Sequence, residues 1–312
     1  TARGLSVIFI SHKLKEVLKF SDRIVVLREG KKVGELLTSD ANEKIIAKLM
    51  VGEDTSVKKR DKIAVGKALL SMSNVSAKGT SVRNGLVNVS LTVFEHEILG
   101  IAGVSGNGQS MLAEVISGLR KLDDGELSFG LQISNNFSPK EVIKARVGRI
   151  PEDRHRDGMI GSMTVAENLI IENLDNSKIK SFGFLNRELM NLSALELCKK
   201  YDVRGPGTQA AARLLSGGNI QKMILARVFN NEPKIILANQ PTRGLDMGAA
   251  SEVERRLLDA RSRGTGTILI SEDLDEILRL SDRILVIHSG VLMETKNKDR
   301  EQIGLMMAGE SE

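Results

Sequence analysis

The 312-residue sequence has no tryptophan, one tyrosine and one cysteine. The lone thiol, Cys198, excludes an internal disulfide framework and suits a reducing compartment. No stretch approaches the roughly 18–20 apolar residues that a membrane-spanning helix requires, and no secretory signal pattern opens the chain. Charge of one sign is also scarce: 45 basic against 40 acidic residues give +5, the small excess of a solvated surface, so no nucleic-acid partner is expected. What is present is 41% hydrophobic residues, enough for a sizeable core, in a length that accommodates one large domain and part of another. The sequence starts at Thr1, already close to the strand-like run Val7–Ile10, and is expected to be a piece of a longer chain.

An internal repeat organises the rest. Residues 4–27 align without gaps to residues 264–287, and Leu49-Met-Val-Gly-Glu53 aligns to Met306-Met-Ala-Gly-Glu310. A period this long is a duplicated domain, not a solenoid unit. Each copy reads as strand, helix, strand: a β-branched run (Val7–Ile10; Thr267–Ile270) meets a serine able to cap a helix (Ser11; Ser271), the helix ends at Ser-Asp-Arg, and a second apolar strand follows. The alternation predicts a mainly parallel α/β sheet. Between the copies, the polar and charged Thr55-Ser-Val-Lys-Lys-Arg-Asp-Lys62 reads as a connector.

Three segments carry chemistry. The apolar run Glu97–Gly103 leads into Gly103-Val104-Ser105-Gly106-Asn107-Gly108-Gln109-Ser110 and then a helical run from Met111 to Leu119. This matches the phosphate-loop pattern G-x-x-x-x-G-K-[ST] except at the lysine, which is Gln109. Its glycines let backbone N–H groups wrap a phosphate, the helix start adds partial positive charge, and Ser110 is within reach of a magnesium ion. Taken alone, a glycine-rich strand-to-helix turn is as readily structural. Second, Leu215-Ser216-Gly217-Gly218-Asn219 precedes a helical stretch at Ile220–Phe229, where adjacent glycines permit close backbone approach and Ser216 supplies a hydroxyl. Third, Pro233–Asp246 opens as an apolar strand; at its end, where phosphate-binding ATPases place an Asp for magnesium and a Glu for water, stand Asn239 and Gln240.

In this order, with Gly-Asn-Gly-Gln-Ser, Pro151-Glu-Asp-Arg-His-Arg156, Leu-Ser-Gly-Gly-Asn and Pro-Thr-Arg-Gly-Leu-Asp246, the segments resemble ABC ATPases. The resemblance is closest to the second domain of the tandem ATP-binding subunits of bacterial simple-sugar and nucleoside importers, and covers nearly the whole chain. It implies a P-loop α/β core with an antiparallel portion near Leu69–Val93 and a helical subdomain around Thr164–Arg213. It implies residues 1–54 as the end of a first ATPase domain, 55–66 as linker and 67–312 as a second domain. The cofactors implied are ATP and Mg2+. The partners implied are transmembrane permease subunits, through them an extracytoplasmic solute-binding protein, and the first ATPase domain of the same chain. The place implied is the cytoplasmic membrane face.

Carried over residue by residue, the resemblance puts Gln109 at the phosphate-loop lysine, Glu152 at the glutamine-loop position, Asn239 at the magnesium ligand, Gln240 at the general base and Glu272 at the switch histidine. His12, the switch histidine of the first copy, the signature Ser216–Gly217–Gly218 and Asp246 are kept. In the family two domains pair head to tail, so His12 and the signature serve one ATP and the five altered positions serve the other. Loss of one charge-assisted hydrogen bond of about 1.5–3 kcal/mol weakens triphosphate binding by roughly 10- to 150-fold. Loss of a general base forfeits about 10²–10⁴ in rate. Backbone donors and Ser110 leave weak nucleotide binding open, although no aromatic residue lies between Leu69 and Gly85, where adenine usually stacks. His96, His155 and His288 lack metal-ligand spacing, and Met306-Met307 reads as helix packing. Two other readings stay open: a non-hydrolytic regulatory or scaffold domain, and a soluble ABC-type protein acting on ribosomes or DNA.

Overall fold

The computed structural model describes residues 4–11, 14–28, 30–51, 62–174, 179–181, 184–295 and 298–310. The chain divides into two units, one formed by Thr1–Lys59 with Gly244–Arg255, the other by Arg60–Arg243 with Arg256–Glu312.

In the first unit, helix α1 (Leu14–Phe20) leads into strands β1 (Arg23–Arg28) and β2 (Lys31–Leu37), an antiparallel hairpin, followed by helix α2 (Glu43–Val51). Ile24, Val26 and Ile46 form a small buried core, closed by half-buried residues of both helices such as Leu14, Val17 and Leu49. The strand expected at Val7–Ile10 is absent: residues 5–10 pair with no strand among the described residues, and Ile8 and Ile10 are each 92% exposed. Their repeat counterparts Ile268 and Ile270 are fully buried. The difference is one of neighbours, because an apolar run becomes a central strand only between two others.

The second unit contains strands β3 (Ala68–Ala77), β4 (Leu86–Phe94) and β5 (Ile98–Ala102), helix α3 (Gln109–Ile116), strands β6 (Asp124–Phe129) and β7 (Gln132–Ser134), helix α4 (Pro139–Lys144) and strand β8 (Val147–Ile150). Helix α5 (Val165–Ile170), the short strands β9 (Lys180–Ser181) and β10 (Phe184–Leu185), and helices α6 (Arg187–Lys200) and α7 (Gly217–Asn230) follow. The chain then forms strand β11 (Ile235–Asn239), helix α8 (Met247–Ser262), which starts in the first unit's segment, strand β12 (Gly266–Ser271), helix α9 (Leu274–Leu280), strands β13 (Arg283–His288) and β14 (Val291–Glu294), and helix α10 (Arg300–Ala308).

Six strands form the main sheet in the order β14-β13-β5-β12-β11-β8, parallel except for the β13–β14 pair. β4, β3, β6 and β7 form a separate antiparallel sheet, which extends the expected antiparallel portion beyond Leu69–Val93. Apolar side chains from the two sheets and α3, among them Leu70, Val93, Ile101, Leu112, Ile116 and Ile270, share one core. Around 164–213 lie α5 and α6 together with the β9–β10 hairpin. Thr164 caps α5 reciprocally with Glu167, a local signal strong enough to fix that helix start. Helix α9 is capped by Asp273, not by the expected Ser271, because the Asp273 carboxylate accepts the Asp275 and Glu276 N–H groups while Ser271 accepts from Asp273.

The strand order decides where chemistry can collect. Ala102 pairs with Ser271, Ile270 with Asn239 and Ala238 with Ile150. The segments starting at Gly103, Pro151, Gln240 and Glu272 therefore all leave the sheet at the carboxyl ends of adjacent parallel strands, the edge where open α/β sheets bind ligands.

Candidate functional site

The phosphate-loop sequence does form a strand–loop–helix turn. Gly103 directly follows β5, and a Cβ there would lie 2.6 Å from the Ile287 carbonyl oxygen. Gly108 precedes α3 at φ +107 and abuts the Gly85 carbonyl, so only glycine fits. The helix starts at Gln109, two residues earlier than the apolar run suggests. Val104, Ser105, Gly106 and Ser110 are exposed.

Gln109 does not point outward as a phosphate-seeking side chain. It is 6% exposed, its Oε1 accepts the Asn107 backbone N–H at 3.0 Å, and its Nε2 donates to the Val104 carbonyl at 2.7 Å. The carboxamide thus fills the concave side of its own loop and takes one of the backbone donors that would face an anion. Asn107 adds a second tie. Its Nδ2 donates to the same Val104 carbonyl at 2.9 Å, and its Oδ1 accepts from Ser289 N–H at 3.0 Å, joining the loop to the β13–β14 turn.

At the end of β11, Asn239 is buried and its Oδ1 has no hydrogen-bond partner. Gln240 takes the left-handed backbone conformation, φ 49, rare for a residue with a side chain, while its N–H donates to Ile270 O at 2.8 Å. Its Oε1 accepts the Glu272 N–H at 3.4 Å, so the expected base and switch positions do meet, as an amide against a backbone donor. The Gln240 carboxamide cannot take a proton from water. Ser110 and Asn239 offer a magnesium ion two neutral oxygens and no carboxylate, a poor match to a hard divalent cation. The residues present do not fit the metal, and no step at this loop is assigned to one.

Glu152, just beyond β8, is held by an ion pair with Arg243. In the same turn Asp153 accepts the N–H groups of His155 and Arg156, each at 3.0 Å, and the Arg156 bond chiefly holds its carboxyl below the usual aspartate range. Asp246 caps α8 by accepting from Ala249 N–H at 2.9 Å.

The signature residues are placed differently. Ser216 is the N-cap position of α7 and is exposed; Gly217 and Gly218 form the helix's first turn, three residues ahead of the expected start. The Ser216 carbonyl accepts Ile220 N–H at 2.9 Å, and its hydroxyl accepts only from the Asn219 side chain at 2.9 Å, leaving the first N–H groups of α7 without a side-chain cap. An uncapped helix start with an open hydroxyl suits an anion. Lys222, one turn on, binds the Asp202 carboxylate at 2.6 Å; this bond, with a second from Arg204, holds that carboxyl below its ordinary value. His12 lies outside the described residues. Among the described residues no cluster of His, Cys, Asp and Glu could hold a metal, and no helix is long and apolar enough to cross a membrane.

Sequence reasoning assigned no role to Arg154 and Arg243, which the structure joins: Arg154 Nη1 donates to the Arg243 carbonyl at 3.0 Å. Both sit in the two loop segments most specific in wording, the one signal available beforehand.

The model of the ABC transporter family matches residues 86–243. A glucose import ATP-binding protein of Haloferax volcanii is 45% identical over 315 residues, covering 99% of this chain and 57% of its own length. A nucleoside import ATP-binding protein of Lactococcus lactis is 38% identical, covering 98% and 61%. A ribose import ATP-binding protein of Clostridium tetani is 36% identical, covering 93% and 57%. The chain thus spans 57–61% of the length of these relatives. Among solved structures, a nucleotide-free ATP-binding cassette from an ABC transporter superimposes with a TM-score of 0.62 at 23% identity, covering 77% of this chain and 95% of that one. A dimeric cassette bound to ADP and Pi gives 0.60 at 24%, covering 73% and 100%. At these identities the likeness establishes the fold.

Proposed function

The chain belongs to the ABC transporter family, and on that premise we propose that it is part of the energy-coupling subunit of an importer for simple sugars or nucleosides. Its own phosphate loop has lapsed, and its signature turn completes a working ATP site elsewhere in the subunit. The single observation that carries this is the contrast between the two halves of the chemistry: Gln109 is buried in its own loop, whereas Ser216 stands exposed at an uncapped helix start. The solute class follows the relatives, which are glucose, nucleoside and ribose import proteins.

On this reading residues up to 54 end a first ATPase domain, 55–66 connect, and 67–312 form the second. The repeat supports it, since Leu5–Ile10 matches the buried strand β12 but stands exposed. The first domain supplies the phosphate loop, magnesium ligands and general base, with His12 as switch residue. Ser216 and the N–H groups of Gly217 and Gly218 meet the terminal phosphate at the positive end of α7 and stabilise the charge that develops there. ATP hydrolysis is the subunit's reaction. A permease is its docking partner, reached on the outer side by a solute-binding protein, and the subunit is peripheral at the cytoplasmic face. Equilibrium dialysis of the complete subunit tests the asymmetry: one tight nucleotide per subunit is expected, and two of equal affinity contradict it.

A second reading, a regulatory half without turnover anywhere in the subunit, draws on the same filled loop. Steady-state phosphate release by the complete subunit separates them.

A further inference from the structure

One of the altered positions, Glu152, is engaged by an ion pair with Arg243. Arg154 lies between two loops. Its guanidinium nitrogens Nη2 and Nε sit 3.3 and 3.4 Å from where a Cβ on Gly217 would project, so the planar group covers the first turn of α7. Its Nη1 donates to the Arg243 carbonyl at 3.0 Å. The Arg243 side chain in turn pairs with Glu152, two residues before Arg154. One turn further along α7, the buried Gln221 Nε2 donates to the Pro241 carbonyl at 2.9 Å, a direct bond from the helix to the same loop.

We propose that Arg154 is the positioning residue of the signature turn, bracing Gly217 against the Arg243 loop, with Glu152 locking that brace. The inference rests on the reading of Ser216–Gly218 as the working signature and deepens it. Glu152, which the resemblance places where a glutamine would read the domain's own nucleotide, is committed to the brace instead. Both members of the Glu152–Arg243 pair are partly exposed, and ion pairs in that setting add little to stability, so the value of the pair lies in geometry. A guanidinium suits the task because its plane can lie over a glycine while one edge donates to a carbonyl; a lysine ammonium offers a point charge and no plane. Gly217 leaves the room this requires, since any side chain there would press on the guanidinium.

The test uses the complete subunit, with ATP turnover and thermal melting measured on Arg154→Ala, Arg154→Lys, Glu152→Gln, their double variant and Ser216→Arg. A displaced signature turn lowers kcat by about 10- to 100-fold for Arg154→Ala. KM for ATP stays within about twofold, because ground-state binding is held by the other domain. Arg154→Lys recovers only part of the rate. Glu152→Gln lowers kcat less, and its effect is not additive with Arg154→Ala, as expected of residues in one network. In this chain alone, Arg154→Ala speeds exchange of the Ile220 amide, whose bond to Ser216 closes the first turn. Unchanged kcat for Arg154→Ala with Ser216→Arg inactive overturns the brace and leaves the signature assignment standing. A lowered melting temperature with unchanged kcat reduces Arg154 to a structural role and overturns it too. Ser216→Arg with full turnover removes the signature assignment, and the brace with it.

Discussion

The backbone N–H of Asn107 donates to the side-chain oxygen of Gln109, 3.0 Å away, inside the same phosphate loop. A lysine at that position would extend charge toward a triphosphate; the carboxamide folds back, and its amide end closes on Val104 at 2.7 Å. The Gln109 carboxamide therefore ties two backbone groups of its own loop together.

Replacing Gln109 by lysine is expected to tighten Mg-ATP binding to this chain by roughly 10- to 150-fold, the span of one added charge-assisted hydrogen bond. Titration calorimetry on both proteins measures it. Hydrolysis should remain absent, because Gln240 still cannot accept a proton. Equal affinities would mean that Gln109 is not what weakens the loop.

Asn239 gives a complementary expectation. Its Oδ1 is buried without a hydrogen-bond partner, so Asn239→Asp buries a carboxylate oxygen that no hydrogen bond compensates. The cost is about 1–3 kcal/mol or more in magnesium-free buffer, seen as a lower melting temperature. In the double variant with Gln109→Lys, added magnesium and ATP should recover the loss. No destabilisation would show that the position is wetter than its burial indicates.

The exposed run at Leu5–Ile10 bears on domain organisation. Ile8→Lys with Ile10→Lys should reduce self-association of this chain, by light scattering, with little change in melting temperature, since both side chains are already in solvent. In the complete subunit the same pair should lower the melting temperature, as a buried strand requires. Equal tolerance in both would contradict the duplication.

At low pH the tie between Asp202 and α7 should weaken. Its carboxyl is held below the ordinary value of 3.8, first by Lys222 and then by Arg204. The unfolded chain therefore binds this proton more readily, and the contribution is complete above about 3.8 and lost as pH falls through the lowered folded value. Melting profiles of the native chain and Asp202→Asn should differ by about 1–3 °C near neutrality, the pair being exposed, and converge below that point. A difference that grows on acidification would reverse the sign.

Much of this architecture is legible in the sequence because it rests on local signals. Gly103 to Ser110 mark the strand-to-helix turn, Ser216-Gly-Gly marks the start of α7, and β-branched runs mark β11 and β12. What escapes is set by tertiary choices. Gln109 is named by the motif as a missing lysine, but its side chain's partners lie within a fold that no spacing encodes. Arg154 and Arg243 are ordinary loop arginines until β8 and β11 are paired and bring their loops together. The strand expected at Val7–Ile10 fails for the same reason: its sequence aligns with that of β12, but a buried strand is made by its neighbours. Ser271 loses the cap of α9 to Asp273 because a carboxylate two residues on reaches two N–H groups at once.

Solute uptake by cells carrying the complete subunit and its permease decides the assignment of the working site. Ser216→Arg, which fills the space where the signature must meet phosphate, should abolish uptake although Ser216 lies in the domain with the filled loop. Gln109→Ala should leave most uptake intact, because on the proposed reading the side chain it removes serves a loop that does no work. Both substitutions spare the apolar sheet, so melting temperatures should confirm folding. Uptake lost with Gln109→Ala and retained with Ser216→Arg would place the working nucleotide in this chain's own phosphate loop and contradict the account.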